Sequence, residues 1–207
     1  NSLKKIVGLD IGAPLQWNGS STLTVSSANA YNYGVESSVV GWGAALADDG
    51  TEAFADVECT SAGYGSCSGW AWTGVHVKYT GSSAKDVQIT VNGKYAGWLV
   101  NPILGGSTSY RVRVSVYDYT TDSEITGTVV AEKTVSTITS EPASGNVNKS
   151  MTVTFYPGHS YLIRLGVASA TTSVVAYGGS VSDFYDGVYG GSNPRGADLT
   201  SISIKPL

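Results

Sequence analysis

Apolar and polar residues alternate along the first fifteen residues, and this alternation constrains the fold of the chain more than any other feature. Every second position of the segment falls on one face, which is mostly apolar: Leu3, Lys5, Val7, Leu9, Ile11, Ala13 and Leu15. A period of two residues predicts a half-buried β-strand. Because a terminal segment frays unless it is held, we expect this strand to be buried in a sheet, either of its own chain or of a neighbouring copy.

Similar runs, separated by turn residues, continue along the rest of the chain. In residues 110–119, the alternation directs Val112, Val114 and Val116 towards a core. It directs Arg111 and Arg113 towards solvent. Charged residues make up 14% of the chain, glycine is abundant and no helical period is evident. These features predict about eleven or twelve strands and no helices.

Two local patterns define the expected organisation. Asn92-Gly93 stands between two apolar runs and predicts a tight β-hairpin, because both residue types tolerate a positive φ. Residues 140–150 are rich in Ser, Gly and Asn and are typical of a linker. We therefore predict an all-β fold: an N-terminal strand arm over residues 1–15, followed by one antiparallel β-sandwich of jelly-roll or Ig-like topology over residues 16–207.

The two cysteines indicate the compartment. Seven residues, two of them glycine, separate Cys59 from Cys67, so the chain can fold back and join the two thiols in a disulfide. Free buried thiols and a metal site are the alternatives. A disulfide favours an extracellular protein. Because the first residue is Asn rather than Met, we also expect a processed chain whose secretory signal has been removed.

Two sequons make Asn18 and Asn148 candidate glycosylation sites, with chance occurrence as the alternative. Both sequons lie among turn-forming residues, which predicts exposed turns at these positions.

Charge and hydropathy exclude several classes of function. The net charge is −4 and the chain has no basic tract, so nucleic acid is not an expected partner. No apolar run approaches the roughly 20 residues that a membrane-spanning helix needs. Two histidines, His76 and His159, lie in a strand and a turn without a recognisable nucleophile motif, so we expect no enzyme activity.

Acidic residues cluster in several turns, the first of which contains Asp48, Asp49 and Glu52. Carboxylates in loops are ligands that Ca²⁺ prefers, whereas a solvated turn is the simpler interpretation. We expect no resident cofactor or metal, with Ca²⁺ as the alternative for these turns.

The terminal strand leads to the first functional hypothesis. If the strand inserts into a neighbouring copy, Leu3, Val7, Leu9, Ile11 and Leu15 fill pockets there and complete its sheet by β-strand addition. A head-to-tail contact of this kind propagates into a homopolymer. This hypothesis predicts a structural subunit of an extracellular filament or surface assembly, similar in logic to pili that polymerise by donor-strand complementation.

The aromatic residues lead to a second hypothesis. Trp70 and Trp72 are two residues apart and therefore share one face of a strand. Sugars stack on exposed aromatic rings, so this pair predicts a secreted carbohydrate-binding module with glycans as partners. The alternative is that both rings fill the core, as large aromatic side chains usually do.

Overall fold

The computed structural model describes residues 4–102, 104–174, 179–185 and 195–207, with side chains described from residue 7 onward. These ranges contain fourteen β-strands and no helix. In chain order the strands are β1 (Lys4–Ile11), β2 (Leu15–Trp17), β3 (Leu23–Val25), β4 (Ala30–Ser37), β5 (Gly41–Asp48), β6 (Phe54–Ala62), β7 (Ser66–Tyr79), β8 (Lys85–Asn101), β9 (Gly106–Asp118), β10 (Ser123–Val135), β11 (Thr139–Phe155), β12 (Ser160–Ser173), β13 (Gly179–Phe184) and β14 (Gly196–Pro206).

The strands form two sheets that pack face to face. Sheet A has the order β1–β4–β7–β12–β9–β10, with β2 beside β7. Sheet B has the order β11–β8–β13–β6–β14–β3, with β5 beside β6 and a further pairing between β8 and β14. Apart from the parallel pair of β2 and β7, the neighbouring strands of the described residues run antiparallel. The predicted all-β antiparallel sandwich is confirmed.

The core lies between the two sheets. Val112, Val114 and Val116 of β9 are fully buried, as their alternation predicts. The facing side chains of sheet B include Ile89 of β8 and Ile204 of β14, which are also fully buried. The core belongs to one continuous cluster of buried apolar residues. Because side chains alternate between the two faces of a strand, every second residue of each strand lies on the outer face of its sheet.

The N-terminal strand pairs with its own chain. Along its whole length, β1 lies antiparallel to β4 at the edge of sheet A. The apolar face of this segment is not buried within its own chain, because Val7 is 53% exposed, Leu9 62% and Leu15 38%. Burial of this face against a neighbouring copy stays a prediction. Ile11 is half-buried, and Leu3 lies outside the described residues. In the observed register Leu9 pairs with Asn32 and lies on the outer face of the sheet, whereas Gly8 pairs with Tyr33, whose side chain packs against the core.

The predicted hairpin at Asn92-Gly93 is also wrong. Both residues lie inside β8, a continuous strand that pairs with β11 on one side and with β14 on the other. The glycine serves close packing, since a Cβ at position 93 would lie 2.3 Å from the carbonyl oxygen of Asp198. The predicted linker over 140–150 is likewise a strand, because β11 pairs with β8 throughout that range.

The predicted disulfide is confirmed. Cys59 of β6 and Cys67 of β7 are joined, with their Cα atoms 5.4 Å apart. Both side chains are buried. Because β6 belongs to sheet B and β7 to sheet A, the bond ties the two sheets together across the core.

Candidate functional site

Both tryptophans of the second hypothesis lie on the outer face of sheet A. Trp70 and Trp72 are half-buried residues of β7, whereas their neighbour Ala71 points inward and is buried. The Trp70 ring covers Gly34 of β4, where a Cβ would lie only 2.2 Å from its Cζ2 atom. The small residue at position 34 thus lets the indole ring lie against the sheet.

Each tryptophan begins a row of side chains that crosses the sheet. In the first row, Trp70 pairs with Ala168 of β12, which pairs in turn with Arg111 of β9. All three positions point outward because paired residues of neighbouring strands share a face. The small Ala168 therefore lies between the Trp70 and Arg111 positions of the two flanking strands.

The second row repeats this arrangement two residues further along. Trp72 pairs with Gly166 of β12, and Gly166 pairs with Arg113 of β9. With small residues on the central strand and long side chains on both flanking strands, the two rows form a groove along β12. The groove encloses about 290 Å³ beside Trp72. It continues past Arg111 into a depression of about 700 Å³.

A third guanidinium closes one end of the groove. Arg164 of β12 lies between two aromatic rings, 5.5 Å from the centroid of Trp72 and 5.0 Å from that of Tyr117. It donates hydrogen bonds to Ser115 Oγ at 3.0 Å and to Glu124 Oε2 at 3.0 Å. Stacking and hydrogen bonding together hold this side chain in place.

Glu124 of β10 links two of the arginines. Arg113 Nη1 donates to Glu124 Oε2 at 2.7 Å, and Nη2 donates to the other carboxylate oxygen. The hydrogen bond from Arg113 lowers the pKa of the Glu124 carboxyl below its ordinary value, and the same bond raises the pKa of Arg113. Burial lowers the pKa of Arg164, although Glu124 opposes this change. The carboxylate therefore stays ionised and holds both cations.

Arg111 has a weaker partner. Its Nε donates to Glu132 Oε2 at 2.8 Å, but both side chains are more than half exposed. Ion pairs in such exposed positions contribute at most about 1 kcal/mol to stability. The Arg111 guanidinium is therefore available to a ligand in the groove.

The outer face of sheet B carries a second aromatic and acidic region. Trp42 of β5 is 47% exposed and Trp98 of β8 is 36% exposed. Between these strands Glu58 of β6 pairs with Asp183 of β13, and both carboxylates are buried. Arg195 forms an ion pair with Asp183. The sequence analysis missed this cluster because its members come from five separate segments of the chain.

The acidic turn at Asp48, Asp49 and Glu52 borders an open groove of about 700 Å³, together with Asp56 and Asp198. Burial raises the pKa of the Asp49 carboxyl, and the neighbouring charge of Asp48 raises it further. Within the described ranges, no group of three or more His, Cys, Asp or Glu side chains is arranged to hold a metal ion. Calcium binding at this turn stays a prediction.

The two histidines hold turns in place. His159 Nδ1 lies 2.8 Å from Asp118 Oδ2, and the Asp118 carboxylate also accepts the backbone N–H of Thr120 at 2.9 Å. Although burial raises the pKa of Asp118, these hydrogen bonds bring it below its ordinary value. His76 Nδ1 donates to the Gly12 carbonyl oxygen at 2.8 Å and so anchors the segment after β1.

Both candidate glycosylation sites are exposed. Asn18 follows β2, and its Oδ1 accepts the backbone N–H of Ser20 at 3.0 Å. Asn148 lies within β11 opposite Asn92, so the turn predicted for this sequon is wrong. Glycan occupancy at both sites stays a prediction. Among the described residues, no helix has the length and apolar character needed to cross a membrane.

No family model matches the chain, and no curated protein matches it. Among solved structures, the chain is similar to the CBM22-1–GH10 part of xylanase 10B from Clostridium thermocellum, with 12% identity, a TM-score of 0.25 and coverage of 96% of this chain but 28% of that one. A loop-swap mutant of Xyn11A from Necallimastix patriciarum has 10% identity and a TM-score of 0.36, with 99% of this chain and 100% of that chain covered.

The family 11 carbohydrate-binding module of C. thermocellum, solved with a β-1,3-1,4-mixed-linked tetrasaccharide, has 8% identity and a TM-score of 0.26. That alignment covers 81% of this chain and 87% of the module. Similarities of this size carry no functional argument, so function has to be inferred from the residues of the chain itself.

Proposed function

We propose that this chain is a secreted carbohydrate-binding β-sandwich module whose binding site is the groove on the outer face of sheet A. The observation that carries the proposal is the placement of Trp70 and Trp72 on one outward face of β7, beside a floor formed by Gly166 and Ala168. The small floor residues leave space for a ligand between the two flanking strands.

The chemistry of the groove suits a sugar. One face of a pyranose ring is apolar and stacks on an indole ring, whereas its hydroxyl groups need hydrogen-bonding partners. Arg111 offers guanidinium donors to the groove, and the guanidinium of Arg113, paired with Glu124, also lines it. The disulfide supports the extracellular location that is part of this proposal.

The filament hypothesis has less support. It requires the N-terminal strand to pair with the sheet of a neighbouring copy, whereas β1 pairs with β4 of its own chain. Pairing within the chain satisfies one edge of β1 without a second subunit, which removes the main reason for expecting a homopolymer.

Replacement of the tryptophans tests the proposal. We expect Trp70→Ala/Trp72→Ala to lower the affinity for a bound polysaccharide at least tenfold, because each lost stacking contact is worth about 0.5–1.5 kcal/mol beyond its buried area. Affinity electrophoresis with a panel of polysaccharides provides the measurement. Trp42→Ala is the control, since it removes a tryptophan ring that is exposed on sheet B instead. Equal losses in both variants would place the site elsewhere.

A second variant separates lost binding from lost folding. Ala168→Gln keeps both tryptophans and fills the floor of the groove with a longer polar side chain. We expect it to reduce binding while the thermal unfolding transition stays near that of the unmodified chain, because position 168 is partly exposed. A fully folded Ala168→Gln variant with undiminished binding would overturn the assignment of this groove.

A further inference from the structure

We propose that the groove selects sugar chains that carry carboxylates, which means polysaccharides containing uronic acids. This inference rests on the proposed function, because it assigns a substrate class to the same groove. It follows from the charges that line the groove, from their exposure and from their repetition along the strands.

The groove beside Trp72 is cationic. Three guanidinium groups line it, those of Arg111, Arg113 and Arg164, and no carboxylate is among the described residues that line this part, although Glu132 lines the adjoining depression. The nearest acids with described contacts are Glu124 and Glu132, which pair with these arginines from β10. Within these ion pairs the three guanidinium groups exceed the two carboxylates by one positive charge, in a chain whose net charge is −4.

The guanidinium groups are accessible as well as charged. The Arg111 side chain is 58% exposed, and that of Arg113 is 37% exposed with both Nη atoms donating to Glu124. Water competes with the Arg111–Glu132 pair, so a carboxylate from a ligand can replace Glu132 at small cost. The planar guanidinium matches a carboxylate with two parallel hydrogen bonds, which a neutral sugar hydroxyl cannot do.

The pairing of rings with cations repeats along the groove. Trp70 and Arg111 occupy the positions on either side of Ala168, and Trp72 and Arg113 those on either side of Gly166. Equivalent positions on a strand are about 6.6 Å apart, so two rows that each contain a tryptophan and an arginine follow each other along β12. A repeated subsite suits a polymer in which successive units each present a ring face and an acid group.

Binding to polysaccharides of defined charge tests the inference. We expect the chain to bind polygalacturonate or alginate at least tenfold more tightly than neutral xylan or β-glucan. Arg111→Gln/Arg113→Gln is expected to lower the affinity for the acidic polymer tenfold or more, because each lost charge-assisted bond is a large part of the binding free energy. Lys94→Gln is the matched control, since it removes an exposed, carboxylate-paired cation from sheet B.

The outcomes distinguish the inference from the proposed function. The acidic preference is overturned if the chain binds neutral and acidic polymers equally and if this binding is lost in Trp70→Ala/Trp72→Ala but kept in Arg111→Gln/Arg113→Gln. That result would leave the carbohydrate-binding function intact. Binding to dextran sulfate without binding to either polyuronate overturns the assignment to carboxylates. Failure to bind any polysaccharide overturns both proposals.

Discussion

Glu58 is the most unusual single residue of the described chain. Its side chain is fully buried on the outer side of β6, and neither carboxylate oxygen has a hydrogen-bond partner of normal geometry among the described residues. Burial raises the pKa of this carboxyl from 4.5 to about 7, opposed in part by the Thr60 hydroxyl and by the charge of Arg195. The neighbouring Asp183 carboxylate pairs with Arg195, and Glu58 forms no ion pair with another described residue.

The raised pKa of Glu58 makes stability depend on pH. Between pH 4.5 and 7 the unfolded chain loses a proton that the folded chain keeps, so the free energy of unfolding falls as the pH rises. The loss is absent below pH 4.5 and complete above pH 7. At about 1.4 kcal/mol per pKa unit, it amounts to about 3 kcal/mol.

We therefore expect Glu58→Gln to raise the free energy of unfolding at pH 8 by up to about 3 kcal/mol and to leave it nearly unchanged at pH 4. Urea unfolding at the two pH values measures both quantities. Glu52→Gln, which alters an exposed carboxylate on the same side of the sandwich, is the control and is expected to have little effect. An equal pH dependence in Glu58→Gln and the unmodified chain would contradict this account.

At the residue scale, the sequence predicts which side chains can react or bind, but it does not predict which charged side chains lie next to each other. The spacing of Cys59 and Cys67 is sufficient to predict their disulfide, because the loop is short and both partners are local. Glu58 and Asp183 are directly paired in the structure although far apart in sequence. Burial of an acid on an outer face has no local signature, so its raised pKa could not be predicted.

At the scale of elements, β8 shows how tertiary pairing overrides a strong local signal. Asn92-Gly93 is typical of a hairpin, but hydrogen bonding to β11 and β14 on both sides keeps the backbone extended there. A register irregularity in β14 between Leu199 and Ser201 lies opposite this dipeptide. The glycine is thus required where the backbone of β14 approaches closely, and a turn would give up both sets of ladder hydrogen bonds.

We expect Gly93→Ala to lower the free energy of unfolding by about 1–3 kcal/mol, because its Cβ collides with a backbone carbonyl that cannot move freely. Chemical denaturation measures the change. Asn92→Ser is the control, since it alters the neighbouring position and loses one long hydrogen bond of 3.3 Å to Ser201. Unchanged stability in Gly93→Ala would show that β14 yields to the added methyl group, contrary to this interpretation.

At the scale of the whole molecule, the candidate site depends on strand order. Alternation alone predicts that Trp70 and Trp72 share a face, and that Arg111 and Arg113 face solvent. That these pairs border one groove follows from the insertion of β12 between β7 and β9. Strand order arises from contacts between distant segments and leaves no periodic trace in the sequence. In the sequence, only the small residues Gly166 and Ala168 indicate the floor of the groove. They can be recognised as a floor only once the strand order is known.

The pairing of β1 with β4 also determines how the whole molecule responds to concentration. A strand held within its own chain stabilises the fold independently of other copies, whereas a strand shared between copies makes stability rise with protein concentration. We expect the melting temperature to stay constant over a roughly 100-fold range of concentration, with a monomer mass by light scattering. Deleting residues 1–11 should lower the melting temperature, because it uncovers Tyr31 and Tyr33, which pack against the core. A melting temperature that climbs with concentration, accompanied by larger species, would instead favour exchange of β1 between copies and the filament hypothesis.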